Sequence, residues 1–212
     1  MHIVITGANR GIGKALSDLY RDQGHSVTGT ARDASTGLAL DVTDPKQHAA
    51  VASSLSDRPI DLLICNAGVY LDKGQNIQGY PVEMWAQSFA TNVTGVFLTV
   101  QALLPNLLQS KGKVAILSSQ MASHTRAPGG SYIYRASKAA ALNLGRNLAA
   151  DLKADGVPVG IYHPGWVQTD MGGNTAEITV DKAAEGLLAR FDALSLDTTG
   201  CFETWDGREH AY

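Results

Sequence analysis

The chain has 212 residues, 44% of them hydrophobic, which is enough for one domain with a full core and too little for two comfortable ones. Its 17 basic and 20 acidic residues give a formal charge of -3 without a basic run, which argues against nucleic acid as a partner. No apolar stretch approaches the length that crosses a bilayer, and Thr6 and Asn9 interrupt the first apolar run, so we expect a cytoplasmic protein without a membrane partner.

The cysteine and histidine content predicts no metal site. Cys65 and Cys201 are the only cysteines, they lie far apart in sequence, and no Cys/His cluster has metal-ligand spacing. Buried free thiols are the favoured interpretation, and a disulfide between the two stays open.

Short apolar runs alternate with helical patterns along the chain. Runs bounded by Gly or polar turns and separated by helix-length segments indicate parallel strands with crossover helices. We therefore predict an α/β fold in one domain, residues 1–212: a Rossmann-type, doubly wound, mostly parallel sheet of seven strands with helices on both faces. Strands are predicted at 2–5, 25–28, 38–40, 60–64, 113–117, 157–161 and 200–204, and helices at about 11–23, 45–55, 81–109, 134–154 and 180–194.

A glycine-rich turn joins the first predicted strand to the first predicted helix. Gly7, Gly11 and Gly13 follow an apolar strand and precede a helical pattern, which is the context of a dinucleotide site. Glycines let the backbone approach a pyrophosphate, whose charge the helix N-terminus stabilises. The spacing is Gly-x-x-x-Gly-x-Gly instead of the common Gly-x-Gly-x-x-Gly, so a glycine-rich turn without a ligand stays an alternative.

The second predicted strand is followed by Arg32 and Asp33, where a residue that recognises the ribose belongs. An acid there accepts from a free 2′-hydroxyl, whereas an arginine pairs with a 2′-phosphate, and this pair alone does not decide. Arg10 in the glycine loop adds a second cation, which favours NADP(H) over NAD(H). We expect Arg10 and Arg32 to bind the 2′-phosphate while Asp33 points away or caps the following turn; the alternative for each arginine is a solvated surface charge.

Tyr134 and Lys138 form a Tyr-x-x-x-Lys step on a predicted helix. Residues four apart lie on one face with Cβ atoms about 5–6 Å from each other, so an ammonium can sit beside a phenol. Lowering a tyrosine pKa by about three units requires about 4 kcal/mol, which is roughly the attraction of two unit charges ~4 Å apart at an effective dielectric of ~20. The step predicts a tyrosine that exchanges protons near neutral pH, although an ordinary amphipathic helix also carries these residues at this spacing.

Seven motifs in chain order resemble those of the classical short-chain dehydrogenases/reductases over nearly the whole chain. The motifs are Thr6–Gly13, Asp41-Val42, Asn66–Gly68, Asn92, Ser118-Ser119, Tyr134 with Lys138, and Pro164–Asp170. The stretch His163–Gly173 and the tail near Trp205–Gly207 look most like the carbonyl-reductase-like branch that includes the C-factor and sniffer proteins.

The resemblance implies four catalytic residues. Tyr134 would be the general acid/base, and Lys138 would lower its pKa and hold the nicotinamide ribose. Ser119 would donate a hydrogen bond to the substrate carbonyl, and Asn92 would position a water for a proton relay. Ser119 lies fifteen residues before Tyr134 where the family commonly has thirteen, so the choice between Ser118 and Ser119 stays open.

The resemblance also implies a cofactor site and an assembly. The long helices pack across a two-fold axis in the family, so Trp85, Phe89, Leu144 and Leu148 are candidates for the interface of a homodimer or homotetramer. Apart from this role, the apolar stripe Trp85, Phe89, Val93, Phe97, Val100 and Leu104 is typical of a core-facing helix. The implied cofactor residues are Gly7, Asn9, Arg10, Gly11, Ile12, Gly13, Arg32, Asp41, Val42, Asn66, Ala67, Gly68, Tyr134, Lys138, Pro164, Gly165, Val167 and Thr169.

The predicted activity is NADP(H)-dependent hydride transfer between nicotinamide and a small carbonyl or alcohol substrate. A nucleotide-binding regulator or signalling protein of the same fold, with little turnover, is the alternative. The substrate pocket is expected between residues 121–131 and 171–177, with His124 at its mouth. We expect a structural role for His163, whose ring would bond nearby backbone groups.

Overall fold

The computed structural model describes residues 1–212, which form one seven-stranded sheet with helices on both faces. The strands are β1 (His2–Thr6), β2 (Ser26–Ala31), β3 (Gly37–Ala39), β4 (Leu62–Cys65), β5 (Lys113–Leu117), β6 (Val159–His163) and β7 (Phe202–Thr204). The helices are α1 (Gly11–Asp22), α2 (Pro45–Ser54), α3 (Val82–Phe89), α4 (Gly95–Ser110), α5 (Tyr132–Leu152) and α6 (Val180–Ala193). A π-helical turn (Ala90–Thr94) joins α3 to α4, and a 3-10 turn (Gln120–Ala122) follows β5.

The strand order is β3-β2-β1-β4-β5-β6-β7, and every pair of neighbouring strands is parallel. The predicted fold class and strand count are confirmed, and "mostly parallel" is corrected to fully parallel. The order reverses between β1 and β4, so the crevice at the carboxyl ends of these two strands is the place where a ligand binds in such a sheet.

Alternation along the strands builds a separate core on each face of the sheet. In β1, Val4 faces the cluster formed with α2, α4 and α5, whereas Ile3 and Ile5 face the cluster formed with α1 and α6. Adjacent strand residues point to opposite faces, so a strand buried on both sides is continuously apolar. This explains why most of the strands could be predicted from short unbroken apolar runs.

The predicted boundaries differ from the structure by about two residues at several ends. Helix α5 begins at Tyr132, two residues before the prediction, and β6 occupies Val159–His163 where 157–161 was predicted. The predicted helix at 81–109 is interrupted by the π turn. Both cysteines are free thiols, with Cys65 buried and Cys201 partly buried.

Taken together, α3, the π turn and α4 form a helical segment, Val82–Ser110, that is long and apolar enough to cross a membrane. The prediction that no apolar stretch approaches this length is therefore wrong. Length and composition alone do not separate a membrane span from a core helix, and α4 within this segment packs against α2, β4 and β5. The segment is a core helix that covers one face of the sheet, because Val100, Leu103 and Leu107 are buried in the apolar cluster between this helix and the strands.

Candidate active site

The glycine loop after β1 forms a close-fitting turn against the end of β4. Gly7 and Gly11 have positive φ angles of 66° and 52°, which residues with a Cβ rarely adopt. A Cβ on Gly13 would overlap the Gly7 carbonyl oxygen and lie 2.5 Å from Asn66 Nδ2. Arg10 occupies the N-cap of α1 without a side-chain capping bond, and no acid lies in the first turn. These features fit a pyrophosphate at the helix N-terminus.

Asn66 ties the end of β4 to this loop. Its Nδ2 donates to the carbonyl oxygens of Thr6 at 2.9 Å and Gly7 at 3.0 Å, and its backbone N–H donates to Thr6 Oγ1 at 3.0 Å. The backbone N–H of Ala67 also donates to Thr6 Oγ1, at 3.1 Å. Asn66 therefore holds the loop in shape through both its side chain and its backbone.

Two aspartates of the predicted nucleotide site, Asp33 after β2 and Asp41 after β3, bond to their own turns. Asp33 Oδ1 accepts from the backbone N–H and the hydroxyl of Ser35, which is the turn cap anticipated for it. Asp41 Oδ1 accepts in the same way from Thr43. These hydrogen bonds lower the pKa of both carboxyl groups. Arg32 is exposed and forms no ion pair, although its charge also lowers both pKa values.

Two other predicted cofactor residues, Val42 and Arg10, have contacts within the protein. Val42 is buried in the core, where it packs against Gly95 at the start of α4. Arg10 Nη1 forms a 2.9 Å ion pair with Asp170 Oδ2, in the loop after β6. Both side chains of this pair are largely exposed, so the ion pair leaves the expected binding of a 2′-phosphate by Arg10 and Arg32 untested.

The loop after β6 reaches the glycine loop from the other side. A Cβ on Gly11 would lie 3.4 Å from Thr169 Cγ2, and Thr169 Oγ1 accepts from the backbone N–H of Gly172 at 3.1 Å. Val167 is buried and bridges to Ile178. Gly165 has a φ of 90° and follows Pro164 at the end of β6. The predicted residues from the two ends of the chain therefore line one crevice.

Tyr134 and Lys138 are both buried on α5. Lys138 Nζ lies 5.8 Å from the centre of the Tyr134 ring and donates to the Leu117 carbonyl oxygen at 2.9 Å. Burial raises the pKa of Tyr134 to about 12, while a hydrogen bond with Ser119 offsets part of the rise; burial lowers the pKa of Lys138 to about 8. Burial is the largest influence on the Tyr134 pKa, so this pKa is raised where the Tyr-x-x-x-Lys spacing predicted that Lys138 would lower it.

The two serines after β5 have different partners. Ser118 Oγ donates to the Lys138 carbonyl oxygen at 3.0 Å, which commits it to holding α5 against the sheet. Ser119 lies close enough to the Tyr134 hydroxyl to lower its pKa, and its Oγ accepts from the backbone N–H of Met121 at 3.1 Å. The geometry places Ser119, and not Ser118, beside the phenol.

Asn92 lies in the π turn between α3 and α4. Its Oδ1 accepts from the Val69 N–H at 2.8 Å, and its Nδ2 donates to the Val69 carbonyl and to Ser137 Oγ, each at 2.9 Å. A Cβ on Gly68 would lie 3.3 Å from Asn92 Oδ1 and 3.4 Å from Lys138 Nζ. Single π turns recur at functional sites, and this one brings Asn92 next to Lys138.

Three residues near the phenol were not predicted as catalytic or cofactor-binding. Tyr70 stacks on the Tyr134 ring, Asp72 accepts from the Tyr134 backbone N–H, and Met171 places its sulfur 4.0 Å from the Tyr134 hydroxyl. Tyr70 and Asp72 are 64 and 62 residues from Tyr134 in sequence, and neither belongs to a periodic pattern. Their position just after the Asn66–Gly68 motif is the only sequence signal that points to them.

The two histidines named from the sequence lie away from the phenol. His124 is exposed in the loop after β5. His163 is buried, but its Nδ1 has no hydrogen-bond partner, so the expectation that its ring bonds backbone groups is wrong. Its ring packs edge-on against His210, and burial lowers its pKa to about 3. A cavity of about 240 Å³ beside it includes Arg126 and Glu177 of the two predicted substrate loops.

Comparison with known proteins identifies the family. A family model described as short chain dehydrogenase matches residues 1–179. The chain is 33% identical to 1-hydroxy-2-glutathionyl-2-methyl-3-butene dehydrogenase of Rhodococcus sp. (strain AD45), over 97% of this chain and 96% of that protein. It is 36% identical to the C-signal protein of Myxococcus xanthus, over 76% of this chain and 97% of that protein.

Solved structures agree with the sequence relatives. The NADPH-bound carbonyl reductase from chicken fatty liver superimposes with a TM-score of 0.92 at 29% identity, covering 100% of this chain and 98% of that one. Solved carbonyl reductases that share the fold include a sniffer protein, so the predicted resemblance to the C-factor and sniffer branch is confirmed. The chain belongs to the short-chain dehydrogenase/reductase family and is an NAD(P)-dependent oxidoreductase of that family.

Proposed function

We propose that the protein is an NADP(H)-dependent carbonyl reductase in which Tyr134 is the general acid/base. One observation carries this proposal: Tyr134 and Lys138 are buried side by side, Ser119 lies near the phenol, and Lys138 Nζ lies beside Gly68, two residues after the Asn66 that holds the glycine loop. A binding module would require the glycine loop but has no use for a buried phenol paired with a hydroxyl and an amine.

Tyr134 is the proton donor in the direction of reduction. Its pKa of about 12 keeps the phenol protonated at neutral pH, which is the state needed to give a proton to a carbonyl oxygen. The bound nicotinamide supplies the hydride. Ser119 donates a hydrogen bond to the same oxygen, so both hydroxyl groups act where negative charge develops.

Lys138 holds the nicotinamide ribose and keeps a positive charge near the phenol. Its ammonium has three N–H donors, and Leu117 uses one of them. Asn92 fixes the wall of the site through Val69 and Ser137, next to Lys138. A water positioned between Asn92 and Lys138 for a proton relay remains part of the proposal.

Arg32 favours NADP(H) over NAD(H). It is exposed at the end of β2 without an ion pair, whereas the Asp33 carboxylate already accepts two hydrogen bonds from Ser35. An unpaired guanidinium suits a 2′-phosphate, and the two bonds from Ser35 hold the Asp33 carboxylate in its own turn. The NADPH in the chicken carbonyl reductase supports the same choice.

Three further proposals concern organisation. The N-terminal part of the chain binds the cofactor and the C-terminal part binds the substrate. The chain forms a homodimer or homotetramer through its long helices, where Trp85 and Phe89 stack half-exposed on α3 and Phe97 is 40% exposed on α4. The apolar stripe predicted for this helix is thus only partly core. A cytoplasmic location stays a prediction.

The alternative is a signalling protein of the same fold with little turnover. The name of the Myxococcus xanthus relative, C-signal, supports it. The assembled set of Ser119, Tyr134, Lys138 and Asn92 argues against it, because signalling alone does not require these four side chains together.

A screen of aldehydes, ketones and quinones with NADPH, and with NADH in parallel, tests the proposal. We expect loss of NADPH absorbance with at least one class of carbonyl and much slower turnover with NADH. No turnover on any carbonyl, together with tight binding of either cofactor, would favour the signalling alternative.

A further inference from the structure

Two side chains in the segment after β4 contact Tyr134 from outside its own helix. The Asp72 carboxylate is fully buried and accepts from the backbone N–H groups of Ile133 at 2.9 Å and Tyr134 at 3.2 Å. The Tyr70 ring stacks on the Tyr134 ring, with centroids 4.2 Å apart and planes 20° apart. One residue holds the backbone of Tyr134, and the other holds its ring.

Asp72 supplies a helix cap that α5 lacks locally. Ser131 occupies the N-cap position, but its side chain makes no capping bond. The first N–H groups of a helix have no acceptor within the helix. Asp72, 61 residues before Ile133, accepts from two of them and forms no ion pair with a basic residue. Its buried charge is therefore stabilised by the helix N-terminus.

Tyr70 fixes the turn that leads into α5. Its hydroxyl and Ser131 Oγ form a 2.5 Å hydrogen bond. Gly129, Gly130 and Ser131 all have positive φ, and the 47° of Ser131 is unfavourable for a residue with a Cβ. Such a conformation persists where neighbouring groups hold it, and the bond to Tyr70 is one such contact.

We infer that Tyr70 and Asp72 are positioning residues for the carbonyl reduction proposed above, which they serve by fixing where the Tyr134 hydroxyl meets the substrate. The phenol oxygen lies at the far end of the side chain, so a small rotation of the ring or a shift of the first turn displaces it widely. A misplacement of about 1 Å at a reacting group can reduce a rate by roughly 100-fold.

The charge of Asp72 gives this role a signature that a plain helix cap lacks. The titratable and charged groups that face Tyr134 are Asp72, Tyr70 and Lys138, with Ser119 as its hydrogen-bond partner. Both Asp72 and Tyr70 contribute to raising the pKa of Tyr134. The charge of Asp72 therefore acts on the Tyr134 hydroxyl itself, which a helix cap elsewhere in the chain does not do.

The test compares Asp72→Ala with Asp44→Ala. Asp44 caps α2 through the backbone N–H of Lys46 at 2.9 Å, so its loss also removes a helix cap but does not touch α5. We expect Asp72→Ala to reduce kcat by roughly 10-fold or more, with the Kd for NADPH changed by less than about twofold. Asp44→Ala should lower Tm without reducing kcat. Equal losses of kcat in the two variants would overturn the inference.

Conservative variants separate position from charge. Asp72→Asn keeps an acceptor oxygen, so it should recover part of the kcat lost in Asp72→Ala. Tyr70→Phe keeps the stacked ring and loses only the bond to Ser131, so it should cost less kcat than Tyr70→Leu. An Asp72→Asn variant with no more kcat than Asp72→Ala, or identical kcat for the two Tyr70 variants, would contradict the assignment.

Amide hydrogen exchange tests the contact between Asp72 and the first turn of α5 without an activity assay. In Asp72→Ala, the Ile133 and Tyr134 amides should lose protection while amides in the middle of α5 keep theirs. Unchanged protection would overturn the role of Asp72 itself. A wild type that retains this protection but reduces no carbonyl would instead contradict the proposed function, so the two failures are distinguishable.

Discussion

Arg10 and Asp170 form a 2.9 Å ion pair although they lie 160 residues apart in sequence. The pair joins the glycine loop after β1 to the loop after β6, at the two sides of the proposed cofactor crevice. Both side chains are largely exposed, so the pair is worth at most about 1 kcal/mol and can exchange for another partner. Arg32 has no such partner, so we propose it as the stronger determinant of cofactor choice.

Replacing Arg32 tests that determinant. Charge-assisted hydrogen bonds contribute about 1.5–3 kcal/mol, so Arg32→Ala should weaken NADPH binding by roughly 10–150-fold and leave NADH binding nearly unchanged. Titration of both cofactors measures this, with Asp33→Ala as the matched control at the neighbouring position. Equal affinity of the wild type for the two cofactors, or selective loss of NADH binding in Asp33→Ala, would show that Asp33 recognises the ribose.

Gly13 should tolerate no side chain if the glycine loop binds the cofactor. A Cβ there would overlap the Gly7 carbonyl oxygen and crowd Asn66 Nδ2. We expect Gly13→Ala to raise the Kd for NADPH by about 100-fold or more, equivalent to about 2.7 kcal/mol. Gly24→Ala is the control, because a Cβ at Gly24 would meet nothing within 4 Å although its φ is 82°. Equal Kd values for the two variants would contradict a cofactor at this loop.

The pH dependence of reduction should follow Lys138. Its pKa of about 8 means that the ammonium is present below that pH and lost above it, whereas Tyr134, with a pKa of about 12, stays protonated throughout. The kcat/KM for carbonyl reduction should therefore be flat below about pH 7.5 and fall above about pH 8. A kcat/KM that stays constant up to about pH 10 would show that carbonyl reduction does not depend on the charge of Lys138.

The proposed assembly depends on the exposed apolar side chains of α3 and α4. Trp85→Glu should convert the oligomer to monomers, because a charge in an apolar interface is left without a partner. Light scattering at micromolar concentration measures the mass, and Gln87→Glu, an exposed position on the same helix, is the control. A wild type that is already monomeric would exclude the proposed interface.

The fold could be predicted from the sequence because the patterns that indicate strands and helices are local. Apolar runs such as Lys113–Leu117 coincide with their strand, and the glycine loop starts α1 at Gly11 as predicted. A predicted helix boundary was wrong where the residue that sets it is distant in sequence. Helix α5 begins two residues earlier than predicted because Asp72 accepts from the N–H groups of Ile133 and Tyr134.

The site was only partly predictable for the same reason. The residues named for catalysis meet in space, but their partners depend on packing between distant segments. The pKa of Tyr134 is raised by burial, which the four-residue spacing to Lys138 alone does not reveal. The stacking of Tyr70 and the π turn at Asn92 likewise arise only in the folded chain.

Tyr134→Phe tests the central claim, that the Tyr134 hydroxyl donates the proton to the substrate carbonyl. The substitution keeps the ring that stacks on Tyr70 and removes only the hydroxyl. Measured with NADPH and a carbonyl found in the screen, kcat should fall by about 10²–10⁴-fold, the contribution of general acid catalysis, while the Kd for NADPH stays near the wild-type value. A variant that keeps more than about a tenth of the wild-type kcat would contradict the account.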